Sequence, residues 1–441
     1  MNTERKPVIA LFPEASFGAA LNCVGIAQEL RRRGADPVFI TDAGFSGVFA
    51  EYGFQEYRVR AQASASDEDT QNYWQAFLNR HIPHFNLSPS DQIETYVAPV
   101  WEAIVDTVIG VEAGLEELLA KIDPDVIVLD NVIMFPAVAR SGRPWVRVVS
   151  CAETELGDPD IPPHLSGLAS GDRAGSARFR ARYLAALAPI HARYNEFRRD
   201  RGLPPLPEGE FLETSPQMNL LLAPGIVRRP RRNPLPADRF TFLEGCVRRE
   251  APFEVPVLPG NAGPLIYVSF GSLGAMDTAL FRRLIKVFQT IPARFLLNVG
   301  GMIDAYSQIP DNVYLEEWYP QPSVVRQCDL FIHHGGNNSF CEALYFGVPS
   351  LVIPYCWDGH DNAVRAEECG VGRRLDRHGW SGAELADAIN AVLGDAQMAA
   401  RLKRNSRFMQ QSRGTVVAAE RILAAVPGRR RDGQPDETHI G

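Results

Sequence analysis

The residues best equipped for chemistry lie together between positions 316 and 372. His333-His334-Gly335-Gly336 follows a short apolar run, Leu330 to Ile332, that reads as a buried parallel strand. Glycines at that point let a backbone come close to a ligand. Asn338 or Ser339 is then expected to cap a helix closed by Gly347. A helix start behind a glycine turn offers free N–H groups and the positive end of the dipole, which suits a diphosphate. Glu342, four residues after Asn338, shares its face and could accept hydrogen bonds from a ribose. Ser350 to Pro354 reads as the next strand, which hangs Asp358 over its carboxyl end, where ligands of open α/β sheets gather.

Trp318-Tyr-Pro-Gln321, His334-x-Gly-x-Asn-Ser-x-x-Glu342, Gly347-Val-Pro349 and Asp358-x-x-x-Asn362 together resemble the nucleotide-sugar signature of glycosyltransferase family 1. That family includes plant secondary-metabolite, vertebrate glucuronosyl and actinobacterial antibiotic glycosyltransferases. The resemblance covers the C-terminal half well and the N-terminal half loosely. It implies the α/β GT-B fold: two facing Rossmann-like, doubly wound domains, the C-terminal helix crossing back to the first. It also implies that Trp318 stacks on a pyrimidine base, Gln321 lies beside the nucleoside and Glu342 holds the ribose. His334, Asn338 and Ser339, with the backbone of Gly335 and Gly336, would meet the pyrophosphate. Gly271 and Ser272, in the Ser-Phe-Gly-Ser turn after the strand from Leu265, resemble a second phosphate loop, and Asp358 would bind the sugar. Gly359 stands where glucose-using relatives commonly carry Gln. The sugar could then be deoxy, amino or pentose, or be read by His360 and Asp361; the nucleotide could be UDP or dTDP.

The chain opens as a βαβ unit, with a strand at 7–12, a helix at about 21–33 and a strand at 37–41. The family normally places a histidine at the first helix as the general base, but Ala19 occupies that position here. A positioned base contributes ~10²–10⁴-fold. The strand 124–130 ends in Asp130, which matches the carboxylate that partners the missing histidine; its alternative is a helix cap. Three routes remain open: Asp130 acts alone, His81 or His84 swings in, or the acceptor is an amine, amide-type nitrogen, acidic hydroxyl or carboxylate that needs little activation. The acceptor is expected against Phe17, Asn22, His81, His84 and Phe85, in an aromatic region (Tyr73, Trp74, Phe77, Tyr96, Trp101) and beside a Pro/Gly-rich loop at 157–175.

The expected organisation is an acceptor domain at 1–223, a Pro-rich linker at 224–263, a nucleotide-sugar domain at 264–410, a crossover helix at 411–426 and a disordered tail at 427–441. A chain of 441 residues, 45% hydrophobic, can bury two cores. Its net charge of −8 gives no reason to expect nucleic-acid binding. Seven scattered cysteines without CxxC spacing argue for reduced thiols and against zinc. No apolar run suits a membrane helix, and a cytoplasmic monomer or homodimer is expected. No metal or resident cofactor is expected, only a nucleotide-sugar co-substrate and a small-molecule acceptor. The reaction would be inverting displacement at the anomeric carbon. A non-catalytic sugar-nucleotide-binding accessory protein is the alternative. An epimerase of the same architecture would want carboxylates and histidines around the sugar instead of a large aromatic acceptor region.

Overall fold

A computed structural model describes residues 5–42, 45–60, 76, 79–258 and 262–428. Tyr73, Trp74, Phe77 and most of the expected tail lie outside the described residues. The first domain is a seven-stranded parallel sheet of β1 (Val8–Pro13), β2 (Asp36–Thr41), β3 (Gln55–Arg58), β4 (Val126–Asp130), β5 (Trp145–Val149), β6 (Met218–Leu222) and β7 (Phe240–Leu243), in the order β3-β2-β1-β4-β5-β6-β7. The second has six parallel strands, β8 (Leu265–Ser269), β9 (Arg294–Asn298), β10 (Val313–Glu316), β11 (Leu330–His333), β12 (Ser350–Val352) and β13 (Gly372–Arg374), in the order β10-β9-β8-β11-β12-β13. Central strands such as Val-Ile-Val-Leu-Asp are buried along their length, because helices cover both faces.

Each sheet winds outward from one central pair, β1 beside β4 and β8 beside β11. The order reverses there, which opens a crevice at the carboxyl ends of those strands. Register places Pro13 opposite Asp130 in one sheet and Ser269 opposite His333 in the other. The residues singled out for chemistry therefore sit at the two switch points.

The stretch 224–263 is not all linker, because Phe240–Leu243 pairs with β6 as the edge strand of the first sheet. A short strand amid prolines and arginines leaves little periodic signal. The chain then passes close over the first helix, Phe17–Arg32: a Cβ on Gly25 would stand 2.8 Å from the carbonyl oxygen of Cys246. The helix Gly414–Leu423 returns to the first domain, burying Ala418, Ala419, Ile422 and Leu423 with Ala20, Val24 and Leu220. Arg413 turns into it with φ +50°, and a Cβ on Gly414 would meet the Gly245 carbonyl oxygen at 2.0 Å. Only glycine fits that seam. No helix of the described residues is long and apolar enough to cross a membrane.

Candidate active site between the two sheets

The turn after β11 is built from backbone packed on backbone. Gly335 has φ +90°, and a Cβ there would lie 2.7 Å from the carbonyl oxygen of Gly359. A Cβ on Gly359 would in turn lie 2.4 Å from the carbonyl oxygen of His334. Gly359 thus marks a close approach of two loops that excludes a side chain, as well as the loss of an amide. The helix Asn337–Phe346 starts two or three residues earlier than expected, with Gly336 in place of Asn338 or Ser339 as its N-cap and no side-chain cap. Its first amide, Asn337 N–H, donates to Asp358 Oδ2 at 3.2 Å. The His334 ring lies over Gly271 and Gly336, and its Nδ1 is buried without a partner. Burial and the nearby Arg377 lower its pKa to about 4, so it presents a neutral imidazole. Gly271, with φ +69°, starts a short helix in which Ser272 is exposed.

Beside this turn, Trp318 is 47% exposed, with Phe17 of the first domain leaning on it at 5.3 Å between ring centroids. Glu342 is only 1% exposed. Its Oε1 accepts from Arg248 at 2.8 Å and Asn338 at 3.1 Å, and its Oε2 accepts from Gln321 at 2.8 Å. Gln321 also donates to Ser339 Oγ at 3.1 Å. A carboxylate has about four lone-pair sites, so roughly one remains for a ribose hydroxyl. Arg248 was invisible as a site residue in the sequence. It lies in the supposed linker, and only the buried carboxylate it neutralises gives it a role.

Across the crevice, Asp130 ends β4 with 2% exposure. Ser150 Oγ donates to Oδ1 at 2.7 Å, while Asn22 Nδ2 and Cys23 Sγ lie 3.3 and 3.5 Å from Oδ2. Burial nevertheless pushes its pKa up to about 6, against the lowering effect of those donors. Glu14, on the loop after β1, is pushed up to about 8 by burial and by Glu155, Asp130 and Asp358. Asp358 itself rises to about 6 through burial. The crevice therefore holds several carboxyls that stay protonated unusually far up the pH scale.

Several acceptor-side expectations change. Asn22 is fully buried and orients Asp130; it does not line a pocket. His81 Nδ1 lies 3.2 Å from His84 Nδ1 and 3.0 Å from the Thr95 carbonyl, so neither ring is poised to swing toward Ala19. Phe85 is buried against Tyr355 of the second domain, with centroids 4.8 Å apart. Nor are His360 and Asp361 placed to read a sugar. His360 Nε2 lies 3.3 Å from Gln92 Oε1, and Asp361 accepts from Thr154 Oγ and from the amides of Leu165 and Gly167 at 2.6 to 2.9 Å. These partners belong to the first domain, so this helix start fastens the 157–175 loop. Asn337 adds to the seam, donating to the carbonyls of Ser150, Cys151 and Leu222. The described residues contain no group of three or more metal-ligating side chains.

Residues 296–415 match the family model of the erythromycin biosynthesis protein CIII-like C-terminal domain. The whole chain aligns with oleandomycin glycosyltransferase of Streptomyces antibioticus, 24% identical over 447 residues, covering 100% of this chain and 96% of the relative. The fold superposes on the glycosyltransferase of kitacinnamycin with a TM-score of 0.70 at 22% identity, covering 96% and 100% of the two chains. It also superposes on the glycosyltransferase VinC in complex with dTDP with a TM-score of 0.62 at 16% identity, covering 96% and 99%. The chain is a glycosyltransferase of GT-B fold. In this glycosyltransferase the Trp318-to-Glu342 group and Asp130 belong to separate domains.

Proposed function

We propose that this glycosyltransferase moves a sugar from a dTDP- or UDP-sugar to a small natural-product acceptor, with inversion at the anomeric carbon. The observation that carries the reading is the pair of switch points, one in each domain: a helix start behind Gly335-Gly336 at one and Asp130 at the other. Leaving-group charge would be met by the amides of that helix start and by the neutral His334 ring, preorganised donors that need no reorientation during the reaction. Trp318 would carry the base, Glu342 the ribose and Asp358 the sugar. VinC, a neighbour in fold, is described in complex with dTDP, which supports a thymidine nucleotide here. Asp130 would orient or deprotonate a nucleophile that needs little activation, such as an amine, an amide-type nitrogen, an acidic hydroxyl or a carboxylate. Incubation with dTDP- and UDP-sugars, with nucleoside diphosphate release and acceptor products followed by mass spectrometry, tests this. Binding of nucleotide without any turnover would support the accessory-protein role instead.

A further inference from the structure

Ala19 leaves the first helix without a proton acceptor, and His81 and His84 are engaged with each other. A different histidine stands among the carboxyls that border the crevice. His164, on the loop between β5 and the helix Arg173–Asp200, has Nδ1 2.8 Å from Thr154 Oγ and 3.4 Å from Asp361 Oδ2. The Thr154 hydroxyl spends its own proton on Asp361 at 2.6 Å, so its oxygen accepts from His164 Nδ1–H. That bond fixes the tautomer and leaves the lone pair of the neutral ring on Nε2. Nε2 is buried and has no hydrogen-bond partner. An orphaned buried polar atom calls for an explanation.

The surroundings point the same way. Glu155 from the turn after β5, Asp358 from the loop after β12 and Asp361 from the helix Gly359–Glu368 are the charges that act on the ring. Burial alone would lower its pKa, but Asp361, with Glu155 and Asp358 behind it, raises it above the ordinary histidine value. Trp357, next to the sugar-side Asp358, meets the ring edge-on at 6.4 Å.

We propose that His164 is the proton acceptor of the transfer reaction, held by Thr154 and Asp361, and that it supplies from the acceptor loop the function absent at position 19. This rests on the glycosyltransferase reading. The acceptor's proton passes to Nε2 as the nucleophile's electron pair forms the bond to the anomeric carbon. The carbon–oxygen bond to phosphate breaks, and its pair leaves with the nucleoside diphosphate. The imidazolium is held against Asp361 and returns its proton to solvent. Such a base extends the acceptor range to ordinary hydroxyls.

Water can serve as the test nucleophile. With dTDP- and UDP-linked glucose, deoxyhexose, aminosugar and pentose as donors and no other acceptor, nucleoside diphosphate release should fall ~10²–10⁴-fold in His164→Gln. Calorimetric binding of dTDP should be unchanged. In the wild type, kcat/KM should drop as pH falls through the His164 pKa, and that limb should vanish in His164→Gln, leaving only the lower one set by Asp130. Added imidazole should restore release in His164→Gly, a rescue that a folding defect would not show. An unchanged rate and limb in His164→Gln, or a loss that imidazole does not restore, overturns the assignment. A wild-type chain that releases nucleotide from none of these donors refutes the glycosyltransferase reading on which it stands.

Discussion

Asp130→Asn should make the protein more stable and less active at once. Burial raises the pKa of Asp130 from the ordinary 3.8 to about 6. Because the folded value lies above the unfolded one, the protonated form favours folding below pH 4 and that advantage is lost as pH rises through 6. At 1.36 kcal/mol for each pKa unit, ionising Asp130 costs the native state about 3 kcal/mol by pH 8. Asparagine removes that cost and keeps the shape. Its carbonyl can still accept from Ser150, and its amide can donate to Asn22 Oδ1, which is buried without a partner, once Asn22 flips. A net gain of about 1–3 kcal/mol is expected near pH 8, shrinking toward zero near pH 4. Urea unfolding of both proteins at about pH 4 and about pH 8 reads this, alongside turnover of dTDP-glucose. Turnover should fall strongly while dTDP binding stays unchanged. A variant less stable than wild type at the higher pH would refute the electrostatic argument, and an unchanged rate would remove Asp130 from the mechanism.

Other changes probe the donor half and the seam. Trp318→Ala should leave the unfolding midpoint nearly unmoved, since the ring is half exposed. It should weaken dTDP binding by about 1–3 kcal/mol of lost stacking, measured by calorimetry. Gly359→Ala drives a Cβ into the His334 carbonyl, and should cost about 3 kcal/mol or more in a urea titration and abolish dTDP binding. Arg248→Met strands Glu342 as a buried charge and should cost about 3–5 kcal/mol, much of it recovered when Glu342→Gln is added. Failure of the double variant to recover would mean that Arg248 acts through packing instead.

Much of the fold was legible because buried parallel strands and helix stops leave local signatures. Leu330 to Ile332 and the strand ending in Asp130 are unbroken apolar runs, and Gly347 closes its helix with φ +75°. The donor turn was legible for the same reason, since its glycines and polar residues lie close together in sequence. What stayed hidden depends on long-range partners. Phe240–Leu243 becomes a strand only because β6 offers an edge, and Arg248 matters only because Glu342 lies 94 residues away. Asn22 and Phe85 have the residue types of a pocket wall, but the fold turns one behind Asp130 and the other against Tyr355. His164 carries no motif, and its pairing with Asp361 spans both domains.

The grip of Asp361 on the amides of Leu165 and Gly167 bears on attempts to recombine such enzymes. A hybrid that takes its sugar-nucleotide half from a relative without a carboxylate at position 361 would keep its own acceptor loop but lose what moors it. The transplant would deliver the new donor to a wall left unseated. Moving the crossing point so that residues 154–167 travel with 358–362 keeps the mooring and its berth in one parental sequence.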